Sequence, residues 1–318
     1  MIPADDLAGW LDVAAKRMDQ VLREAVHASG DPFLTAASTH LLDAGGKRLR
    51  PRLVLLAAQY GERNRPGVPR AAAVVELIHV ASLYHDDVAD AAATRRGVPS
   101  ANSRWGERTA VLVGDWLAAR AALLGATLGR DSVADQAHTL TRLVRGQMRE
   151  AAGHDSEQHY LEVVADKTAS LFALAARLGA RAAGAPAATV QALGEYGEAL
   201  GIAFQLADDL LDLHSPSLPD LRSGVHTLPV LRALRERGGH ATQLRQLLAD
   251  GPVRDPAARA AAAALLRRSS AIDSTRAEIE RYTHRAEAAL RSVPPNGAAE
   301  PLTDLCRSVA ARGEAEAA

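Results

Sequence analysis

The sequence predicts an all-α fold. Apolar residues recur at helical spacing along nearly the whole chain, and no stretch shows the apolar–polar alternation of a half-buried strand. Gly and Pro fall in short, scattered breaks between the periodic segments. With 318 residues and 47% hydrophobic content a sizeable core is available, and only 3% of residues are aromatic. The apolar share is therefore mostly Ala, Leu and Val, which suits helices packed closely through small residues.

The elements follow in order. Residues 1–12 carry Asp5, Asp6 and Asp12 without an apolar segment, so they are not read as a signal peptide. Breaks are expected at 45–46, 61–69, 97–99, 184–186, 215–219, 238–239 and 294–297. Val74, Leu77, Ile78 and Ala81 mark one helix by their spacing, and Leu161, Val164, Thr168 and Leu171 mark another. The alanine-rich run 257–266 contains enough Arg and Leu to read as an ordinary helix, and residues 313–318 are expected to fray. No break has the composition of a linker and no repeat of fixed period is present, so a single domain over 1–318 is expected.

Bulk charge narrows the function. Lys plus Arg number 37 against 38 Asp plus Glu, so no global field points to nucleic acid. Cys306 is the single cysteine, which excludes an internal disulfide framework and a cysteine-rich metal site and fits a reducing cytoplasm. No stretch approaches about 18 uninterrupted apolar residues, so no membrane span is expected.

Two aspartate clusters carry the chemistry. In the segment ending His85-Asp86-Asp87-Val88-Ala89-Asp90, Asp86 and Asp90 are four apart and share one helix face. Two carboxylates so placed repel, and a hard divalent cation such as magnesium, bridging them to phosphate oxygens, relieves that repulsion. Alone, such a cluster reads equally well as a solvated acidic face. The second cluster, Asp208-Asp209-Leu210-Leu211-Asp212, repeats the spacing among Ile202, Phe204, Leu206, Leu210 and Leu211, where unpaired charge is costly. Two trios about 120 residues apart are expected to face one another across a cavity and clamp a diphosphate through several metals. Lys47, Arg48, Arg50 and Arg52 follow a Gly45-Gly46 turn and suit a compact phosphate site; Arg95-Arg96 follows the first trio closely.

With these segments in order, the chain resembles the trans-isoprenyl diphosphate synthase (polyprenyl synthetase) family from about residue 34 to residue 312. The resemblance rests on G-G-K-R-L-R-P, E-L-I-H-x-A-S-L-x-H-D-D-V-x-D, R-R-G-x-P, G-D-W-L-x-A-R-A, Lys167-Thr168 and F-Q-x-x-D-D-x-L-D. It implies an isoprenoid synthase fold, an antiparallel helix bundle around a deep central cavity, dependence on Mg2+, and a homodimer. It makes Asp86, Asp87, Asp90, Asp208 and Asp212 metal ligands or holders of metal-bound water, with Asp209 in the same motif. Lys47, Arg50, His79 and Arg96 would bind isopentenyl diphosphate. Arg95, Lys167, Thr168 and Gln205 would surround the allylic diphosphate and its developing charge as the catalytic set. Gln147 and Glu150 match a position that supports the metal-water shell, while His85, Asp115, Tyr84 and Phe172 read as structural.

The reaction implied is electrophilic alkylation: the allylic carbon–oxygen bond ionises, the double bond of isopentenyl diphosphate attacks, and a proton leaves. Ser82 lies one helical turn, about 5.4 Å, before Asp86 on the same face, with Ala81 beside it and Ile78 two turns down. These residues line the expected chain-length tunnel. No aromatic floor stands at 81 or 82, which by resemblance points to medium- to long-chain products.

One departure from the family pattern stands out. After Asp212 the family has two lysines in a glycine-lysine loop; here the loop is short, both are absent, and Val225 takes the second place. Arg222 and His226 are the candidate substitutes. The departure keeps a second reading open, a weak or regulatory subunit of a prenyl synthase built from two different chains. A class I terpene cyclase is a third, disfavoured because the second cluster holds aspartates and an isopentenyl site is complete.

Overall fold

A computed structural model describes residues 6–153 and 156–314. Asp5 and residues 315–318 of the tail expected to fray lie outside the described residues. The chain is all-α, with α1 Leu7–His27, α2 Pro32–Asp43, α3 Leu49–Ala57, α4 Gly67–Ala89, α5 Ala101–Trp105, α6 Glu107–Ala126 and α7 Arg130–Ala151. There follow α8 Glu157–Val164, a π-turn Ala165–Ala169, α9 Ser170–Ala182, α10 Ala187–Asp212, α11 Pro219–Ser223 and α12 Leu228–Arg235. The last four are α13 Gly239–Leu248, α14 Pro256–Arg267, α15 Ala271–Arg291 and α16 Ala299–Glu314. Gly313, counted with the fraying tail from sequence, is instead buried in α16, and its carbonyl accepts from Arg276 Nε at 3.1 Å.

The described residues form two compact units that the chain visits in turn. The first comprises residues 6–138, 174–194 and 294–299; the second comprises 139–173, 195–293 and 300–314.

In the first unit α4 is the central helix, with α6, α1 and α3 packed against it. Its residues 71–78 are buried all round, the pattern of a helix with no solvent face. It starts at Gly67, inside the expected break, because Pro69 sits in the first turn, where its missing N–H costs nothing. Tyr84, fully buried, donates its hydroxyl to the Ala37 carbonyl and ties α4 to α2.

A small strand pair, unforeseen from sequence, follows α4: Thr94 pairs with Pro99 and Arg95 with Val98. The two-residue loop between them, Arg96-Gly97, has φ values of 53° and 79°. Positive φ at both loop residues is what a type I′ hairpin turn requires.

In the second unit α12 packs against α15, α13 and α8. Two α10 glycines, Gly197 and Gly201, lie on one face and let the start of α9 approach closely. A Cβ at Gly197 would stand 2.5 Å from the Phe172 carbonyl oxygen, and one at Gly201 would stand 2.6 Å from Ala169 Cα. Backbone atoms cannot swing aside as a flexible side-chain tip can. Gly201→Ala should therefore destabilise the protein by about 1–3 kcal/mol through overpacking. Urea unfolding measures this; an unchanged midpoint would show that the two helices are not in such close contact.

Candidate active site

In the first unit, α4 delivers its aspartates by helical rotation. Asp86 and Asp90 stay accessible to solvent, whereas Asp87, one residue on, turns inward and is fully buried. Its Oδ1 accepts from Arg95 Nε at 2.7 Å, and Oδ2 is buried without a hydrogen bond. Burial pushes the Asp87 carboxyl upward, against the pull of Arg95.

The type I′ turn sends Arg96 away from its neighbour Arg95. Its guanidinium donates to the carbonyls of Leu41, at 2.9 Å, and of Gly45. Gly46 makes room for it: a Cβ there would stand 3.0 Å from the guanidinium carbon, and its φ of 148° disfavours any side chain. The left-handed conformation of Arg48 (φ 48°) starts α3 and brings its guanidinium to within 2.9 Å of Glu76, without an aligned hydrogen bond. Glu76 is 1% exposed; burial raises its pKa, and Arg48, Arg96 and Arg50 oppose the rise. Arg50 Nη1 lies 3.4 Å from His79 Nε2. Burial, then Arg50, Arg96 and Arg48, hold the His79 pKa well below its ordinary value, so the ring is neutral and can accept from Arg50. Lys47 is exposed. The expected isopentenyl diphosphate ligands Lys47, Arg50, His79 and Arg96 therefore sit in one unit, where Arg48, Arg50 and Arg96 act on a buried glutamate that sequence reasoning had left without a role.

The expected tunnel residues lie on the same helix. Ile78 and Ala81 are buried, and Ser82 donates to the His79 carbonyl at 2.8 Å. His85 is placed structurally, with Nε2 3.3 Å from both the Val111 carbonyl and Asp115 Oδ1.

In the second unit the pattern repeats. Asp209, counted with the metal ligands from sequence, is the inward member of its trio and only 3% exposed. Tyr160 donates to its Oδ2, and Gln205 Nε2 donates to its Oδ1 at 3.1 Å. The Gln205 carbonyl in turn accepts from Thr168 Oγ1 at 2.8 Å. Thr168, Gln205, Asp209 and Tyr160 thus form one hydrogen-bonded chain. Lys167 pairs with Glu150 of α7. Gln147, expected beside Glu150, has a buried Oε1 without a hydrogen-bond partner.

Asp208 is 37% exposed at its side chain and lies 3.4 Å from Arg312 of α16, whose guanidinium also covers the Phe204 ring at 4.9 Å. Asp212 meets Asp220, which α11 presents from the shortened loop. Burial and the neighbouring carboxylates raise both. Sequence reasoning missed Asp220, Arg312 and Tyr160, since each reaches its aspartate from a different helix, which spacing along one helix cannot show. Of the proposed lysine substitutes, Arg222 is exposed, and burial lowers the pKa of His226, so that ring supplies no standing positive charge at neutral pH.

These groups fit a divalent cation. Carboxylates that raise one another's pKa in a partly buried site are stabilised by a cation among them. Among the described residues no three His, Cys, Asp or Glu side chains close on one point.

Comparison with known proteins agrees. The profile of the Polyprenyl synthetase family matches residues 31–265. Nonaprenyl diphosphate synthase of Mycobacterium tuberculosis (strain ATCC 25618 / H37Rv) is 45% identical over 302 residues, covering 90% of this chain and 88% of that one. Heptaprenyl diphosphate synthase component 2 of Geobacillus stearothermophilus is 38% identical, over 95% and 96% of the two chains. Among solved structures, geranylgeranyl pyrophosphate synthase from Corynebacterium glutamicum, complexed with calcium and isoprenyl diphosphate, superposes with a TM-score of 0.87 at 40% identity. That match covers 96% of this chain and 97% of the other. The chain belongs to the polyprenyl synthetase family, with its isoprenoid synthase fold and its trans-prenyltransferase class of enzyme.

Asp209 has a consequence for stability. Burial raises its pKa from 3.8 to about 7, against the hydrogen bonds of Tyr160 and Gln205 and with the help of Asp208 and Asp212. Between those values the folded chain keeps a proton that the unfolded chain has released, so this carboxyl favours folding at low pH and loses that contribution as pH rises toward 7. In chelator, wild-type stability should fall between pH 5 and 7 more steeply than that of Asp209→Asn, by at most about 1.4 kcal/mol per pH unit. Parallel curves in chemical denaturation would show that Asp209 is already ionised.

Proposed function

We propose that this chain condenses isopentenyl diphosphate with an allylic diphosphate to give a medium- to long-chain trans-polyprenyl diphosphate. One observation carries the reading: in each unit an aspartate trio buries and hydrogen-bonds its middle carboxylate while leaving the outer pair accessible. We assign Asp86, Asp90, Asp208 and Asp212 as the magnesium ligands, with Asp87 and Asp209 holding the helices that carry them. A magnesium ion bound by these carboxylates would supply Lewis-acid charge for the diphosphate leaving group.

The chain's own groups do the rest. Lys47, Arg50 and Arg96 bind the isopentenyl diphosphate as a cationic cluster, with neutral His79 orienting Arg50. Lys167 and Arg95 receive the departing diphosphate. Thr168 donates its proton to Gln205, so its oxygen lone pairs remain for the positive charge developing on the allylic carbon. The new carbon–carbon bond forms there, and the released diphosphate accepts the proton.

Ile78, Ala81 and Ser82 leave the α4 face beneath Asp86 without an aromatic floor, which supports the longer product. The name of the Mycobacterium tuberculosis relative, a nonaprenyl diphosphate synthase, points the same way.

We also infer a single cytoplasmic polyprenyl synthetase domain that works as a homodimer. Among the described residues, α6 alone is long and apolar enough to cross a membrane, with 33% of its apolar window buried. One face packs on α4, and the other exposes Val111, Leu112 and Leu123, with Leu112 also lining an apolar groove of about 540 Å³ with Phe33 and Trp116. Such a face suits a second copy of the chain. A heteromeric enzyme is the second reading, favoured by the lysine-free loop after Asp212 and by the relative named as a component 2.

Purified chain with Mg2+, labelled isopentenyl diphosphate and several allylic primers separates these readings. Elongated products support the homomeric enzyme, and activity only after a partner is added supports the heteromer. Asp86→Ala or Asp208→Ala should lower kcat by about 100- to 1000-fold or more while thermal unfolding stays within a few degrees of wild type. Ser82→Phe should shorten the products by chromatography; unchanged lengths would place the tunnel elsewhere. Leu112→Glu with Leu123→Glu should give a monomer by light scattering, and a dimer that survives both changes would move the interface off α6.

A further inference from the structure

The Lys167–Thr168 pair sits in the middle of the π-turn between α8 and α9. A π-turn adds a residue to the helix, so it turns these side chains off the faces that a regular helix would give them. It is also intrinsically less stable than the α-helix on either side. Something must hold it.

One stripe of α7 does so: Arg142, Arg145, Gly146, Arg149 and Glu150, at spacings that fall on one helix face. Asp166, second residue of the turn and 4% exposed, accepts Arg142 Nε at 2.9 Å and Arg145 Nε and Nη2 at 2.6 and 2.7 Å. Arg149 lies 3.6 Å from the same carboxylate. Arg142 reaches further: its Nη2 donates to the Ala165 carbonyl at 2.9 Å and to Glu198 of α10 at 2.7 Å. That carbonyl also accepts the Ser170 N–H, the five-residue bond that defines the turn. The Ser170 hydroxyl closes the other side on the Asp166 carbonyl at 2.6 Å. Gly146 lets the turn lie directly on α7, since a Cβ there would stand 2.7 Å from Lys167 N. The stripe ends at Glu150, the partner of Lys167 itself.

We propose that Asp166, Arg142 and Arg145 are positioning residues for the reaction: they hold the π-turn so that Lys167 and Thr168 meet the allylic diphosphate. The inference rests on the assignment of Lys167 and Thr168 above and deepens it. Asp166, with its carboxylate held by the α7 arginines, acts through the next two residues, Lys167 and Thr168. Arg142 alone can bind a turn carbonyl, the turn carboxylate and α10 together, because a guanidinium offers five donors in a fixed fork.

The test is steady-state kinetics with both substrates varied. Asp166→Asn and Arg142→Met should each raise KM for the allylic diphosphate about tenfold or more and lower kcat, leaving KM for isopentenyl diphosphate within about twofold. Arg142→Lys, which keeps the charge and one contact at a time, should fall between Arg142→Met and wild type. Faster hydrogen exchange at residues 165–169 should accompany the two stronger variants. Equal effects on the two KM values, or unchanged kinetics with only a lower unfolding temperature, would overturn the inference. If Asp166→Asn fails to fold, the two Arg142 variants decide it. Lys167→Ala run in parallel separates the layers. If it leaves the allylic KM unchanged, the assignment of Lys167 itself is wrong; if it raises that KM while the Asp166 and Arg142 variants do not, only the positioning role is lost.

Discussion

The burial of one carboxylate in each aspartate trio is the constraint from which the local geometry of the candidate site follows. A helix that places Asp86 and Asp90 on one face must point Asp87 about 100° away. In α4 that direction is the packed interior, where a charge survives only with a partner, and Arg95 is that partner. In α10 the same rotation sends Asp209 into the second unit, where Tyr160 and Gln205 supply the donors. Each buried carboxylate fixes the rotation of its helix about its own axis. The outer carboxylates are aimed by consequence.

The same constraint reaches the cationic residues. Arg95 and Arg96 are adjacent in sequence, yet one is committed to the Asp87 carboxylate and the other to two backbone carbonyls. The type I′ turn makes the division possible, and it places a non-glycine residue at positive φ, a conformation that persists where surrounding contacts hold it. Glu76 performs a related service for Arg48, Arg50 and Arg96. A buried negative charge lowers the cost of gathering guanidinium groups that would otherwise repel one another. His79 remains neutral in that field and so adds a hydrogen-bond acceptor rather than another charge.

The second trio differs from the first in how its accessible carboxylates are balanced. Arg312 arrives from α16, and the short helix α11 returns Asp220 to Asp212. The loop that lacks lysines therefore brings a further acid to Asp212, and the arginine beside Asp208 comes from α16. Burial and the neighbouring carboxylates push the Asp220 pKa up to about 8, so at neutral pH it brings a proton that it shares with Asp212 rather than a standing negative charge.

Much of this was legible in the sequence. Helical periodicity determined the all-α class because it depends on residues three and four apart, and the outward faces of both trios followed from the same arithmetic. The anion-binding side chains were identified by type and by their ordered motifs. What the sequence left open was decided by partners on other elements: Glu76 against Arg48, Tyr160 against Asp209, Asp220 against Asp212, and the α7 stripe against Asp166. The Arg95–Val98 strand pair escaped notice because two residues carry no periodicity. Local spacing fixes which way a side chain leaves its helix. Only the packing of other elements decides whether it meets water, a proton or a counter-charge, and that sets whether a carboxylate binds a metal or anchors a helix.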